Sequence, residues 1–173
     1  MTYLLSILTG VASSIVASIV FLFFISRFRP KIEISPYIAK HEDANGTSYV
    51  FKMINKTKRP IINVRCHASL VTHKVVPGGV ALYNNSLNLI SSERYMLDKY
   101  DKKDNDAKYA WRIATKDEIE DNWNEDQSSY IVLKVIATDS FTGFSKYFSQ
   151  TFYIKRDSLK FGSHCYGDNL AVC

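Results

Sequence analysis

The strongest constraint on this chain is a charge boundary near its start. Residues 1–26 carry no charged side chain, and Arg27, Arg29 and Lys31 follow directly. Residues 4–25 are continuously apolar or small, and as a helix rising about 1.5 Å per residue they would be roughly 33 Å long. A hydrocarbon core is about 30 Å thick, and a helix in a water-soluble core is rarely apolar on every face. The sequence therefore predicts a transmembrane helix over residues 1–26.

The same boundary predicts the orientation of this helix. Basic residues beside a span are retained in the cytosol, where the leaflet is anionic. We therefore expect the N-terminus outside, a basic junction over residues 27–31, and a cytosolic domain over residues 32–173 at the cell (inner) membrane. The competing interpretation is a cleaved signal peptide, which would have a basic start, a shorter apolar region and a small-residue cleavage site. The uncharged start and the segment 26–30 disfavour it.

Composition limits the class of the remaining chain. Its length suffices for one domain with a real core, and Gly (7) and Pro (4) are too sparse for a long flexible linker. The net charge of +5 is modest, and the basic residues are interspersed with acids. No zinc finger, aromatic RNA-binding signature or helix-turn-helix pattern is apparent, so we expect no nucleic-acid partner.

The cysteines and glycosylation tripeptides fit a cytosolic domain. The three cysteines are an odd number without the close pairing or metal-like spacing of small secreted domains. They are Cys66, Cys165 and Cys173. We interpret Cys66 as a small buried hydrophobe. Three glycosylation sequons begin at Asn45, Asn55 and Asn84, and we interpret them as chance matches.

After Pro30 the hydrophobic pattern changes from continuous to alternating, which is typical of β-strands. The clearest runs cover residues 32–34, 49–54, 62–70 and 130–138. Residues 139–143 predict a hairpin turn in which Gly143 supplies a positive φ. The capping-box spacing of Thr115 and Glu118 predicts one short helix that extends to Trp123. The sequence therefore predicts a mainly β, antiparallel sandwich with one short helix, behind an N-terminal transmembrane helix.

Two sets of residues are candidate functional sites. Small residues spaced four apart let helices approach closely and predict helix self-association, although four such helices could also enclose a narrow serine-lined path. These residues are Ser6, Gly10, Ser14 and Ser18. The second set is expected to bind anionic phospholipid headgroups at about 1 kcal/mol per residue, which is compatible with a plain topology signal. It consists of Arg27, Arg29 and Lys31.

No catalytic constellation is apparent in the sequence. His67 and His73 are too far apart on one strand to share a metal ion. The carboxylates of residues 117–121 are expected to form a solvated helix face, and no nucleophile elbow or phosphate-binding glycine loop is present. We therefore expect no catalytic residues, no metal, no cofactor and no enzyme activity.

Four blocks, in order, resemble one known family. Residues 26–32 form a basic junction after the apolar helix. Residues 54–70 carry a basic turn, followed by a strand that contains Arg and ends in Ala-x-Leu. Residues 137–147 contain Asp-x-x-Thr-Gly, and residues 157–164 end in Gly-x-His. They resemble the pore-helix junction, first hairpin, Asp-x-Thr-Gly hairpin and terminal segment of the cytoplasmic domain of inward-rectifier potassium channels. The resemblance implies an immunoglobulin-like cytosolic domain, a homo-oligomer that is a tetramer, and anionic lipid at the basic junction.

The chain also differs from that family. It has one span and no Thr-x-Gly-Tyr-Gly-like filter, whose backbone carbonyls provide potassium selectivity. The leading hypothesis is therefore a single-pass, non-enzymatic assembly or sensing module that transmits its state to the helix, with an unknown protein partner. The alternative is a membrane-disrupting or pore-forming effector, such as those of microbial defence, triggered by clustering of the cytosolic domain. A membrane-tethered hydrolase or transferase has no assembled motif behind it.

Overall fold

The computed structural model describes residues 2–44, 46–125 and 128–173. Within them, helix α1 (Thr2–Ser26) precedes ten strands and a one-turn helix, α2 (Lys155–Ser158). The strands are β1 (Ile32–Ile34), β2 (Ile38–Asp43), β3 (Gly46–Asn55), β4 (Ile61–Val76), β5 (Gly79–Ser86), β6 (Glu93–Leu97), β7 (Ala110–Thr115), β8 (Ser129–Asp139), β9 (Ser145–Phe152) and β10 (Leu159–Phe161). Asn45, which begins one of the predicted sequons, lies outside the described residues.

Helix α1 is long and apolar enough to cross a membrane. The candidate span is Ser6–Ile25, and none of it is buried by the rest of the chain. An apolar helix of a soluble core would bury its side chains against neighbouring elements, whereas this one leaves them available to lipid. This exposed apolar surface is the observation that suggests membrane anchoring.

The first sheet is built around β3. Strand β7 pairs along one edge of β3, while β2 and β1 share the other edge, at Gly46–Val50 and Met53–Asn55 respectively. Strand β10 extends the sheet beyond β2. The pairing of β10 with β2 is parallel, so the expected antiparallel arrangement is broken at this edge.

The second sheet is built around β4. Strand β8 pairs along one edge of β4 and carries β9 on its far side, while β6 and β5 share the opposite edge. The register between β4 and β8 shifts between Ile62 and Arg65, and Asn63 in that interval has a φ of 50°. The extra residue at this bulge lets the long strand bend over the core.

The core lies between the two sheets, where alternate residues of each strand point inward. The first sheet contributes side chains such as Phe51, Met53 and Ile113, and the second contributes Leu133 and Val135. Cys66 belongs to this core, as the sequence predicted. The expected mainly β sandwich preceded by an N-terminal helix is therefore confirmed.

The short helix expected near residues 115–123 does not form. The Thr115 hydroxyl accepts a hydrogen bond from the Asp117 backbone N–H, and the Asp117 carboxylate accepts one from the Asn88 backbone N–H. The local signal therefore produces a hydroxyl-stabilised turn in place of a helix N-terminus. Ile119 and Trp123 are both buried, so their burial in the core decides the conformation of this segment.

The C-terminal segment, residues 162–173, covers the outer face of the first sheet and contains a cysteine pair that the sequence analysis did not predict. A disulfide joins Cys165 to Cys173. The spacing in the sequence did not predict this pair because a turn around Gly167 brings the two residues together. This cover buries Lys52, whose Nζ donates to the backbone carbonyls of Cys165, Gly167 and Asn169 at 2.7, 2.9 and 2.7 Å. Burial lowers the pKa of Lys52 to about 8.

Candidate functional site: the membrane-proximal junction

The segment that follows α1 is fixed to the domain by backbone hydrogen bonds. The Lys31 N–H donates to the Thr57 hydroxyl at 2.9 Å, and the Lys56 N–H donates to the Lys31 carbonyl at 2.7 Å. Thr57 and Lys56 belong to the turn between β3 and β4, and Pro30 is buried. The basic junction is therefore a packed connection with a fixed geometry.

Asn55 shapes the turn that receives this segment. Its Nδ2 donates to the carbonyls of Arg59 and Asp98 at 3.0 and 2.8 Å, while its Oδ1 accepts from the Thr57 N–H at 2.8 Å. The side chain is fully buried, so each of these bonds replaces water that the amide has lost. A buried and bonded amide also leaves the sequon at Asn55 inaccessible in the folded chain.

Arg59 connects this turn to both neighbouring segments. Its Nε and Nη2 donate to Asp139 Oδ2 at 3.2 and 2.8 Å, and Nη2 also donates to the Phe28 carbonyl at 3.1 Å. The guanidinium carbon lies 4.6 Å from the centroid of the Phe28 ring. One side chain thus holds the residue that follows the membrane helix, through its backbone and through its ring.

Asp139 is the buried anion that fixes Arg59. The side chain is fully buried, and its Oδ1 accepts from the N–H groups of Phe141 and Thr142 at 3.1 and 3.0 Å. Burial alone would raise the pKa of Asp139, but the hydrogen bonds from Arg59, Phe141 and Thr142 lower it overall. The carboxylate therefore stays ionised and organises the turn between β8 and β9.

Aromatic side chains extend this contact to the end of α1. The ring centroids of Phe24 and Phe28 lie 5.1 Å apart, and those of Phe28 and Phe141 lie 6.0 Å apart, both with edge-to-face geometry. The β8–β9 turn therefore contacts the helix end by apolar surface as well as through the Arg59–Asp139 pair. The predicted Gly143, with a φ of 71°, closes this turn.

The three predicted lipid-binding residues lie around this connection. Arg27, Arg29 and Lys31 are exposed, and the Arg27 guanidinium lies 5.6 Å from the centroid of the Phe23 ring. Folding adds the basic turn of residues 56–59 to the same end of the molecule, a grouping that the linear sequence does not show. Lys56 pairs with Glu33 and Arg59 pairs with Asp139, and the basic residues still outnumber these acids beside the end of the span.

The predicted small-residue stripe keeps its hydroxyls within α1. Ser14 donates to the Gly10 carbonyl at 2.9 Å, and Ser18 donates to the Ser14 carbonyl at 2.8 Å. Hydroxyls bonded in this way can face lipid without a buried, unpaired donor, and they leave a narrow, small-residue surface. Ser6, Gly10, Ser14 and Ser18 all lie on the exposed surface of the single helix.

A second polar cluster lines an open cleft of about 650 Å³ at the far end of the first sheet. Glu120 Oε1 accepts from Lys40 Nζ at 2.7 Å and from the Tyr49 hydroxyl at 2.8 Å. Hydrogen bonding to Glu120 raises the pKa of Lys40; burial, followed by the bond to Glu120, raises that of Tyr49. The pKa of Glu120 is lowered, because these bonds outweigh its burial. These groups hold their protonation states near neutral pH and act as a structural ion pair.

Among the described residues, no three His, Cys, Asp or Glu side chains lie close enough together to hold a metal ion. His164 is buried, with Nε2 3.0 Å from the Val50 carbonyl, and burial lowers its pKa. Its position under the C-terminal segment is that of a packing residue.

The comparisons with known proteins give no family for this chain. No protein-family model matches it, and no curated protein is significantly similar to it.

Proposed function

We propose that this chain is a single-pass, membrane-anchored, non-enzymatic module whose β-sandwich domain assembles or senses and transmits its state to α1. The observation that carries the proposal is the Arg59 connection, in which one guanidinium binds both the Phe28 carbonyl and the Asp139 carboxylate. A flexible tether would not couple the orientation of a domain to that of its helix. A packed, charge-paired connection does so, because the helix end cannot rotate without breaking the partly buried hydrogen bonds of Arg59.

The coupling is tested by proteolysis of the full chain in membranes. Arg59→Gln removes the charge that pairs with Asp139, so trypsin is expected to cleave after Arg27 and Lys31 several-fold faster than in the native chain. Arg65→Gln is the matched control, because Arg65 is highly exposed and its ion pair with Glu93 lies at the surface. Equal cleavage rates in the two variants would contradict the rigid connection.

Assembly is the second part of the proposal, and it rests on the small-residue stripe and on the four-block resemblance to inward-rectifier cytoplasmic domains. We propose a homo-oligomer, with a tetramer as the form that the resemblance favours. Ser14→Cys is expected to cross-link between copies in membranes several-fold more than Val16→Cys, which places the thiol on the opposite side of α1. A strictly monomeric size in detergent at every concentration, or equal cross-linking of both variants, would contradict assembly.

The side of the membrane is tested independently. The grouping of residues 27–31 and 56–59 beside the span favours the cytosol, whereas the Cys165–Cys173 disulfide is typical of an oxidising compartment. We propose the cytosolic side of the cell membrane because several basic residues would otherwise have to cross. Val75→Cys, at a side chain that is 90% exposed, is expected to resist an impermeant maleimide until the cells are opened. Labelling of intact cells would show that the domain lies outside the cell and would contradict the proposed orientation.

A second candidate function is that of a membrane-disrupting effector, and the small-residue stripe on α1 favours it. Clustered helices that faced these serines toward a common axis would perturb the bilayer. Induced expression would then depolarise cells that carry a membrane-potential dye. Oligomers without depolarisation would contradict this second function and leave the first intact.

A further inference from the structure

We infer that the β8–β9 turn is a second membrane contact of this chain, in which Phe141 inserts into the headgroup region of an anionic bilayer beside the end of α1. The inference rests on the proposed membrane anchoring and adds a lipid-facing surface on the domain itself. The partner is the lipid bilayer. It would be recognised by the aromatic side chain of Phe141 and by a surrounding basic collar, which consists of Arg27, Arg29, Lys31 and Lys58.

The first step of the argument is the exposure of Phe141. Its side chain is 75% exposed although it belongs to a well-ordered turn. Asp139 accepts hydrogen bonds from the N–H groups of Phe141 and Thr142, so the backbone that presents the ring is fixed. The ring of Phe141 also continues the contacts between Phe28 and Phe24, and a contiguous exposed apolar patch marks an interaction surface.

The second step is the level at which this ring lies. Phe28 lies in the turn that follows α1, its ring centroid is 5.1 Å from that of Phe24, and Phe24 lies within the candidate span Ser6–Ile25. The Phe28 and Phe141 ring centroids are only 6.0 Å apart. The headgroup region on each side of a bilayer is roughly 5–8 Å thick. When α1 spans a bilayer, Phe141 therefore lies at the level of the headgroup region.

The third step is the charge around this ring. The exposed residues Arg27, Arg29 and Lys31 belong to the same junction as Phe28, and Lys58 is exposed on the turn that binds this junction. An anionic leaflet attracts basic residues within its surface potential, and an aromatic ring among them gains by leaving water. The combination of a ring and a basic collar matches an anionic lipid surface better than a protein groove.

The experiment measures depth in the bilayer with the full chain in phosphatidylcholine–phosphatidylglycerol vesicles. Three variants each add one tryptophan: F141W, V75W and L22W. Val75 is the matched control, because it is also exposed but lies near the opposite end of β4, roughly 45 Å from Ile61 at about 3.3 Å per residue. Trp111 and Trp123 are buried, so difference spectra against the native chain isolate the added group.

Acyl chains brominated close to the headgroup act as the quencher. We expect strong quenching of L22W and F141W and little quenching of V75W. If L22W is quenched but F141W behaves like V75W, the inference is wrong and the membrane anchor stands. If L22W is not quenched either, the proposed anchoring fails and the inference fails with it. A blue shift of F141W without bromine dependence would show that another copy of the chain covers Phe141, which also overturns the inference.

The contribution of anionic lipid is measured separately. Quenching of F141W is expected to fall at least twofold when phosphatidylglycerol is replaced by phosphatidylcholine, because the basic collar then loses its attraction. Unchanged quenching would overturn the role of the collar.

Discussion

The two ends of the second sheet are built in opposite ways. At the end beside α1, the β8–β9 turn and the β3–β4 turn are joined by buried charge and amide groups, centred on Asp139, Arg59 and Asn55. At the far end, β4 loses its partner β8 after Thr72 and continues only as a hairpin with β5. Apolar residues of this hairpin, Val75 and Val80 among them, stay in solvent.

The difference shows where this domain is required to be rigid. A two-stranded ribbon is marginal by itself, so the far hairpin depends on its attachment at the sheet and contributes little to it. The near end concentrates buried polar groups, which are costly unless every one is satisfied. Such groups define one geometry, and the ion pair of Asp139 and Arg59 lies where the domain meets the helix.

Asp139→Ala is expected to have the largest effect on stability. It leaves the Arg59 guanidinium without its buried anion and removes the acceptor for two N–H groups, so we expect a loss of about 3–5 kcal/mol in the free energy of unfolding. Urea unfolding of the full chain in detergent, followed by tryptophan fluorescence, measures it. Glu93→Ala is the control, because the exposed Arg65–Glu93 pair is worth less than about 1 kcal/mol. Similar losses in both variants would remove the distinction between the ends.

The C-terminal segment is expected to contribute an intermediate amount to stability. The Cys165–Cys173 disulfide closes a short loop, with a sequence separation of 8, over the outer face of the first sheet. Replacing both cysteines by serine is expected to cost about 2–3 kcal/mol by the loop-entropy relation. Reduction of the native chain should produce the same loss. A loss in the serine variant that reductant does not reproduce would assign the effect to packing and not to the cross-link.

Acid should remove the contribution of Asp139 to stability. The pKa of Asp139 is held below its ordinary value of 3.8, so its contribution to stability is complete above that pH and is lost as the pH falls through the lower folded value. The free energy of unfolding of the native chain should therefore fall more steeply below pH 3.8 than that of Asp139→Asn. Parallel pH profiles would show that the carboxylate is not coupled to folding.

The smallest effect is expected at the far hairpin. Val75→Ser and Val80→Ser replace exposed side chains, so each should change the free energy of unfolding by about 0.5 kcal/mol or less. The same unfolding measurement checks this. A loss above about 1 kcal/mol would mean that the hairpin is buried in solution, most simply against another copy.

The sequence predicted those features that local pattern controls. The strands at 32–34, 62–70 and 130–138 were found because alternation reports a buried face, and the 139–143 turn because Gly143 adopts a positive φ. The junction residues were found because charge marks the end of a span. Each of these signals lies within a few residues of the feature that it predicts.

The remaining features depend on contacts between distant residues. Arg59 and Asp139 are 80 positions apart, and nothing near either residue indicates the pair. Lys52 offered a weak signal, a single lysine within the apolar run of residues 50–54, but its three carbonyl acceptors come from the C-terminal segment. The helix expected near residue 118 failed for the same reason, because Ile119 and Trp123 are drawn into the core.

The parallel pairing of β10 with β2 has a consequence for biosynthesis. Leu159 pairs with Ile38, so this edge of β2 remains open until residues 159–161 have left the ribosome. Helix α1, which precedes β2 in the chain, can already be in the bilayer by then. Each nascent domain would thus complete its sheet while tethered to the lipid surface, which limits the ways in which one unfinished edge can meet another.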